Sequence, residues 1–203
     1  GYLQRKVVGR RVSCEKYPRT YPIFTAIGTT DPVGVLQGAV TRAIAMLDDA
    51  IDELAYTRDQ IIAGAPVASP TISDTVAVSL RERLRIDPDT ESAWTGKGPR
   101  TVHHAIRWYR NIRRILDSDF MHYTCLDPQC DSDDVASAFA GESRIYLCSS
   151  FWSDTLDEQA ITLIHEASHI YYDTEDSGRG MGNAYCLENF ICDLQGISVC
   201  TGC

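Results

Sequence analysis

The stretch Thr162-Leu163-Ile164-His165-Glu166-Ala167-Ser168-His169 decides the fold of this chain and the chemistry that it can support. It carries the pattern H-E-x-x-H directly after an apolar run. On a helix, residues four apart lie on one face with their Cβ atoms about 5–6 Å apart, so His165 and His169 can bind one metal ion. Glu166 then stands beside the first ligand, where it can act as general base toward water. The stretch therefore predicts a helix that carries a zinc site.

The flanks of the motif argue against two surface histidines that share a helix face by chance. The mostly apolar run 160–164 precedes the motif and the run 170–172 follows it, so the predicted helix is at least half buried. Burying two imidazoles and a carboxylate without partners is costly. Three further carboxylates follow closely, at Asp173, Glu175 and Asp176. The pattern therefore favours a metal ion as the partner of the buried groups.

A third protein ligand must come from beyond the motif helix, because a catalytic zinc site uses three protein ligands and keeps one position open. Asp176 lies seven residues after His169, in a glycine-rich loop that can fold back to the metal. Glu188 lies nineteen residues after His169, on the next predicted helix, at a separation typical of thermolysin-like enzymes. Reasoning from the residues leaves both candidates open.

Apolar residues recur at helical spacing through most of the chain. Asp31-Pro32 resembles a helix start, and Gly64 and Pro66 mark the end of that helix. The predicted helices cover residues 33–62, 73–83, 101–116, 156–171 and 183–199. Short strands are predicted at 120–125 and 143–148, with β-leaning pieces at 6–8 and 21–24 in an otherwise irregular start and a loop at 87–98.

These elements predict an α+β fold that is mostly helical, with an active-site helix and a small β element. A length of 203 residues suits one domain with its own core. We expect a single domain over 1–203. Within it, residues 1–118 are expected to form a mainly helical lobe, and residues 119–203 to hold the strand pair, the motif helix and the ligand-bearing loop and helix.

Composition narrows the function classes. The net charge of −9 argues against a nucleic-acid partner. No apolar run approaches the ~18 residues of a membrane span, and no apolar segment follows the early charges Arg5 and Lys6, so no signal peptide is visible. Eight cysteines indicate disulfides, and hence a secreted or otherwise extracytoplasmic protein. The Cys200-x-x-Cys203 pattern lacks the context of a zinc or redox motif.

Two longer stretches resemble a known family. The run Ile145-Tyr146-Leu147-Cys148-Ser149-Ser150-Phe151-Trp152, followed by residues 162–169, resembles the deuterolysin and peptidyl-Lys metalloendopeptidase family, the aspzincins. That family shows I-x-L-C-P-x-F-[FW], then T-L-[IV]-H-E-x-[ST]-H, then G-T-x-D-x-x-Y-G and N-A-D-x-x-x-x-F. Residues 173–180 and 183–190 match the last two patterns in part, and the resemblance spans about residues 100–190.

The resemblance implies a zincin-like metalloprotease fold and a zinc-dependent endopeptidase that hydrolyses protein or peptide substrates. Its implied metal ligands are His165, His169 and Asp176, with Glu166 as general base. It also implies disulfides, which join Cys148 to Cys130 and Cys125 to Cys14. The resemblance assigns no partners to Cys186, Cys192, Cys200 and Cys203.

The chain departs from the family at positions that matter for catalysis. Arg179 stands where the family has the tyrosine that helps to hold the oxyanion. Arg179 can supply the same electrostatic stabilisation, and Tyr185 or Tyr172 are the alternatives. Lysine-specific members carry acidic residues at the positions of Tyr185 and Glu188. Only Glu188 is acidic here, so it is expected to line the substrate pocket without strict lysine specificity.

Three other functions remain open at this point. The first is a thermolysin-like zinc peptidase with Glu188 as third ligand. The second is the toxic protease domain of a larger secreted effector. The third is a catalytically inactive binding module with a zincin fold, although the intact Glu166 argues against it. A monomer is expected in each case.

Overall fold

The computed structural model describes residues 3–7, 10–15, 29–127, 130–131 and 133–203. The chain forms two compact units, each made of two segments. The first unit contains Gly1–Ile44 and Arg114–Asp173, and the second contains Ala45–Arg113 and Thr174–Cys203. The single domain expected over 1–203 stays a prediction. No helix within the described ranges is long and apolar enough to span a membrane.

A five-stranded sheet lies in the first unit, in the order β1-β2-β3-β5-β4. Its strands are β1 Leu3–Val7, β2 Arg10–Glu15, β3 His122–Thr124, β4 Ala136–Ala138 and β5 Arg144–Leu147. Strand β5 pairs parallel with β3 and antiparallel with β4. The two strands predicted before the motif are thus confirmed, as part of a larger sheet. The β-leaning residues 21–24 lie outside the described residues.

The motif helix α5, Leu156–Tyr172, is also in the first unit and confirms the sequence prediction within one residue. Thr155 begins it with a capping box: the Glu158 N–H donates to the Thr155 hydroxyl, and the Thr155 N–H donates to the Glu158 carboxylate at 2.8 Å. Asp157, in the first turn of this helix, forms an ion pair with Arg42, with 2.7 Å between Arg42 Nε and Asp157 Oδ1. The charge of Asp157 and Glu158 suits the positive end of the helix dipole.

Helices make up most of the remaining described residues. Helix α1, Pro32–Ile62, is confirmed, and its residues from Ala45 onward belong to the second unit. The others are α2 Asp74–Ser79 with a π-helical turn at Leu80–Leu84, α3 Glu91–Thr95, α4 Val102–Leu116 and α6 Ala184–Gln195. The α+β, mostly helical fold expected from the sequence is confirmed.

The core of the second unit forms around α4 and α6. The ring of Tyr109 stacks on that of Phe190 at 5.7 Å, and its buried hydroxyl donates to the Leu187 carbonyl at 3.1 Å. Burial raises the pKa of Tyr109, so this donor stays protonated. One aromatic residue thus fixes α6 by both apolar contact and a hydrogen bond.

Three details correct the sequence prediction. The expected loop at 87–98 contains α3, because Trp94 is buried and its indole N–H donates to the Pro88 carbonyl at 2.9 Å. Helix α6 ends at Gln195 and not near Val199, because Gly196 adopts a left-handed backbone with φ of 67°. Strand β4 was not predicted, since alanine and serine are weak strand formers.

Each of the two units contains disulfides. Cys130 pairs with Cys148, as the family resemblance implied. Cys125 is disulfide-bonded, and the side chain of its expected partner Cys14 lies outside the described residues. The four unassigned cysteines form Cys186–Cys203 and Cys192–Cys200. The Cys200-x-x-Cys203 pattern therefore serves two separate cross-links to α6.

The capping box generates a stability prediction. We expect Thr155→Ala to lower the free energy of unfolding at pH 7 by about 1 kcal/mol, the usual cost of a lost N-cap. Hydrogen bonds from the Thr155 backbone and hydroxyl lower the pKa of Glu158 below its ordinary 4.5. The bond from the Thr155 hydroxyl to the Glu158 carboxylate, which the variant loses, contributes stability above that value. This contribution is lost as the pH falls through the folded-state pKa. The difference in the free energy of unfolding between wild type and variant should therefore be smaller in acid.

Urea unfolding at pH 7 and pH 3 measures this difference. Thr90→Ala is the matched control, because Thr90 precedes α3 without a side-chain cap bond and its hydroxyl donates instead to the exposed Asp87 carbonyl at 3.1 Å. A Thr155→Ala variant as stable as the control at pH 7 would contradict the capping role.

Candidate metal centre

Helix α5 places the two motif histidines on one face. The ring centroids of His165 and His169 are 4.8 Å apart, with the rings inclined at 75°. His165 is buried at 8% exposure, and His169 is half-buried. Burial follows from the apolar face of the helix, where Leu163, Ile164 and Ala167 are all fully buried. The pair is thus held by core packing.

The chain reverses directly after this helix. Asp173 ends α5 with a left-handed backbone at φ of 50°, and its N–H donates to the His169 carbonyl at 3.0 Å. Beyond it, Glu175 and Asn183 form a parallel backbone bridge. The Glu175 N–H donates to the Gly182 carbonyl at 3.0 Å, and the Ala184 N–H donates to the Glu175 carbonyl at 2.9 Å. Asp176 is therefore the first residue inside a closed loop.

His165, His169 and Asp176 each present one ligand atom, and the three atoms lie within 4.8 Å of one another. Exposure increases along the set, from a buried to a half-buried to an exposed side chain. Within the described part of the chain, this is the one such group of three or more histidine, cysteine or acidic residues, and Glu188 does not belong to it. Two imidazoles and one carboxylate form a donor set that zinc accepts in catalytic sites.

Glu166 lies next to the first histidine and is buried at 6% exposure. A buried carboxylate is costly unless a positive charge or hydrogen-bond donors compensate it. A cation held by the two histidines would supply that charge. The neighbouring Ser168 hydroxyl donates to the backbone carbonyl of His165 at 2.7 Å. The burial of Glu166 thus fits a metal centre better than a plain surface helix.

The remaining predicted site residues lie on the loop and on α6. Arg179 is exposed and precedes the short helical turn Gly180–Gly182. Tyr185 is half-buried in the first turn of α6, and Glu188 is buried at 7% exposure one turn later. Residues three apart are neighbours on a helix face, so Tyr185 and Glu188 share a side of α6. The alternative Tyr172 is the last residue of α5.

Two asparagines matter more than the sequence suggested. Asn183 caps α6 by accepting the Tyr185 N–H at 2.8 Å, and its amide donates to the Gly178 carbonyl at 3.2 Å. An asparagine directly before a helical run is a recognisable N-cap signal. Asn189 is buried at 1% exposure, and within the described residues neither its Nδ2 nor its Oδ1 has a hydrogen-bond partner. Nothing in the sequence marks Asn189.

Comparison with known proteins supports the resemblance. Residues 94–189 match the sequence profile of the aspzincin family, which is described as lysine-specific metallo-endopeptidase. The match includes the motif helix, the loop that carries Asp176 and the first half of α6. A search of the curated proteins found no match.

The grouping of the ligand atoms predicts which carboxylate is needed for metal binding. We expect Asp176→Ala to weaken zinc binding by more than ~100-fold, because a direct ligand matters more than a partner of a ligand, whose loss costs ~10–100-fold. Zinc content after dialysis against buffered free zinc measures the change.

Two variants complete this test. Glu175→Ala removes the adjacent exposed carboxylate and should retain the metal. Glu188→Ala should also retain it. Loss of zinc from Glu188→Ala together with retention in Asp176→Ala would establish the thermolysin-like arrangement instead.

Proposed function

We propose that this chain, whose residues 94–189 belong to the aspzincin family of zinc metallo-endopeptidases, hydrolyses peptide bonds at a zinc ion bound by His165, His169 and Asp176. The observation that carries the proposal is the approach of these three ligand atoms to within 4.8 Å. Family membership already indicates a metallopeptidase that uses zinc and acts on peptides. The ligand set and the roles of the residues below are our proposal.

Glu166 is the proposed general base. When bound, zinc acts as a Lewis acid, which lowers the pKa of water toward ~7 and polarises the scissile carbonyl. Glu166 takes a proton from the attacking water as the water oxygen bonds to the carbonyl carbon. It then delivers that proton to the departing amine nitrogen as the C–N bond breaks. The burial of Glu166 supports this role, because interactions between charges are stronger where little water is present.

Arg179 is the proposed stabiliser of the oxyanion. It lies three residues after Asp176 and has an extended backbone before the turn Gly180–Gly182. A fixed cation or hydrogen-bond donor near the developing negative charge lowers the barrier. Tyr185 is retained as a second catalytic candidate, with Tyr172 as the alternative, because each of them can donate a hydroxyl hydrogen bond.

Glu188 is proposed to line the pocket for the residue after the cleaved bond. A carboxylate buried at 7% exposure interacts more strongly with a basic side chain than one in water does. The second acidic position of lysine-specific relatives is Tyr185 in this chain. We therefore propose a preference for basic residues without strict selection of lysine.

Exchange of the base for its amide isolates the chemical step. We expect Glu166→Gln to keep zinc but to lower kcat by at least ~10²–10⁴-fold, the usual contribution of general acid–base catalysis. Glu175→Gln is the matched control on a nearby carboxylate and should keep activity. Cleavage of casein with and without a chelator, together with zinc content, checks both variants. Full activity of Glu166→Gln would rule out the mechanism.

The pocket assignment predicts a change in selectivity. We expect Glu188→Gln to lower kcat/KM for peptides with lysine or arginine after the cut by roughly tenfold, about the effect of one charge pair worth ~1.4 kcal/mol. Peptides with a neutral residue there should be cleaved as before, and they act as the internal control. Equal losses on both substrate sets would show that Glu188 is not a specificity residue.

The other candidate functions remain open to the same assays. An inactive binding module would hold zinc without chelator-sensitive cleavage, but the buried Glu166 favours an enzyme. An origin within a larger secreted effector and a monomeric state remain proposals. The disulfides of the described residues support an extracytoplasmic location, because such bonds persist in oxidising compartments.

A further inference from the structure

The segment 197–203, which we call the strap, folds back along α6. Two disulfides join it to that helix, Cys192–Cys200 at the middle of the strap and Cys186–Cys203 at its last residue. The later strap residue bonds to the earlier helix residue, so the strap runs antiparallel to α6. The guanidinium of Arg83 donates to the Cys203 carbonyl at 3.1 Å and also pairs with Asp193 at 3.0 Å.

The strap rests on the ring of Tyr185. A Cβ atom added to Gly202 would lie only 3.3 Å from both Cγ and Cδ1 of Tyr185. Gly202 also has a φ of +105°, a backbone conformation that other residues rarely adopt. The backbone conformation thus favours glycine at this position, and a side chain there would also press on the Tyr185 ring. Gly202 therefore lies against the Tyr185 side chain.

Apolar burial contributes little to holding the strap in place. Val199 is 55% exposed, and residues 201–203 are exposed. The two disulfides must therefore supply much of what keeps the strap closed.

We propose that the strap positions Tyr185 for peptide hydrolysis, and that a dithiol reductant releases it. The inference rests on the proposed function, because Tyr185 matters there only if the chain is a peptidase. Cys203 is exposed and open to attack. A thiolate of the reductant bonds to Cys203 Sγ, and Cys186 leaves as a thiolate that takes up a proton. The second thiol of the reductant then displaces Cys203 and closes the reductant's own disulfide. Two electrons have passed to the two cysteines.

The contact between strap and ring is tested without any activity assay. In protein labelled with ¹³C-tyrosine, Tyr185→Phe identifies the ring signals of Tyr185. We expect Gly202→Ala, Cys186→Ser/Cys203→Ser and treatment with dithiothreitol each to shift those signals. Gly64→Ala is the matched control, because Gly64 has a similar φ of +98° with nothing within 4 Å of an added Cβ. Unchanged Tyr185 signals in all three cases would overturn the proposal.

Kinetics of the zinc-loaded protein test the positioning role. We expect Gly202→Ala to lower kcat roughly tenfold with KM within about twofold, less than the ~10²-fold that a 1 Å misplacement can cost. Cys186→Ser/Cys203→Ser should show the same fall in kcat with little change in KM, even if Gly202→Ala folds poorly. Gly64→Ala should keep its kcat at a similar thermal midpoint. An equal fall in kcat for Gly64→Ala, or shifted ring signals with unchanged kcat in the strap variants, would overturn the role.

These outcomes separate the two proposals. If the wild-type protein shows no zinc-dependent cleavage, the proposed function fails and the positioning role fails with it, whatever the ring signals show. If the wild type cleaves peptides but the strap variants cleave equally well, only the inference about the strap is overturned.

Discussion

The reversal of the chain between His169 and Asp176 is the constraint on which the candidate metal centre depends. A continued helix would carry residue 176 about 10 Å further along the axis, at 1.5 Å per residue, and away from both imidazoles. The left-handed backbone of Asp173 stops the helix, although that conformation costs a residue with a side chain roughly 1–2 kcal/mol. The bridge between Glu175 and Asn183 then closes the loop. Core packing fixes two of the ligands, and backbone hydrogen bonds fix the third.

Along α5, which precedes this reversal, the groups near the surface lie at the start of the helix and the buried titratable groups lie in its middle. The capping box at Thr155 and the pair of Arg42 with Asp157 satisfy the first turn of α5 with groups near the surface. Its buried middle carries His165 and Glu166, whose burial is tolerable only with compensating partners. The helix thus begins with ordinary capping contacts, whereas its interior buries titratable side chains. Natural proteins accept such local conflicts mainly at functional sites.

Much of this arrangement could be read from the sequence where the signals are local. The bounds of α5 follow from an N-cap threonine and an apolar run, and α1 follows from its proline start and helical spacing. Spacing alone left Asp176 and Glu188 equally open as third ligand, and only the family resemblance favoured Asp176. Helix α3 is a single short turn among aspartate, proline and glycine residues, whose composition is typical of a loop. The pairing of Cys186 with Cys203 was not predictable, because disulfide connectivity cannot be deduced from sequence alone. The amide of Asn189 gives no sequence signal, since its significance lies in what surrounds it.

The graded exposure of the three ligands gives the site a direction. For a metal held by them, His165 is shielded by the helix core, whereas Asp176 faces solvent. A chelator or an incoming ion would therefore meet the carboxylate first, and ligand exchange would proceed from the loop inward. The lifetime of the bound metal would then depend on how often the loop opens at its bridge, so that backbone hydrogen bonds govern exchange kinetics while all three ligands together govern affinity.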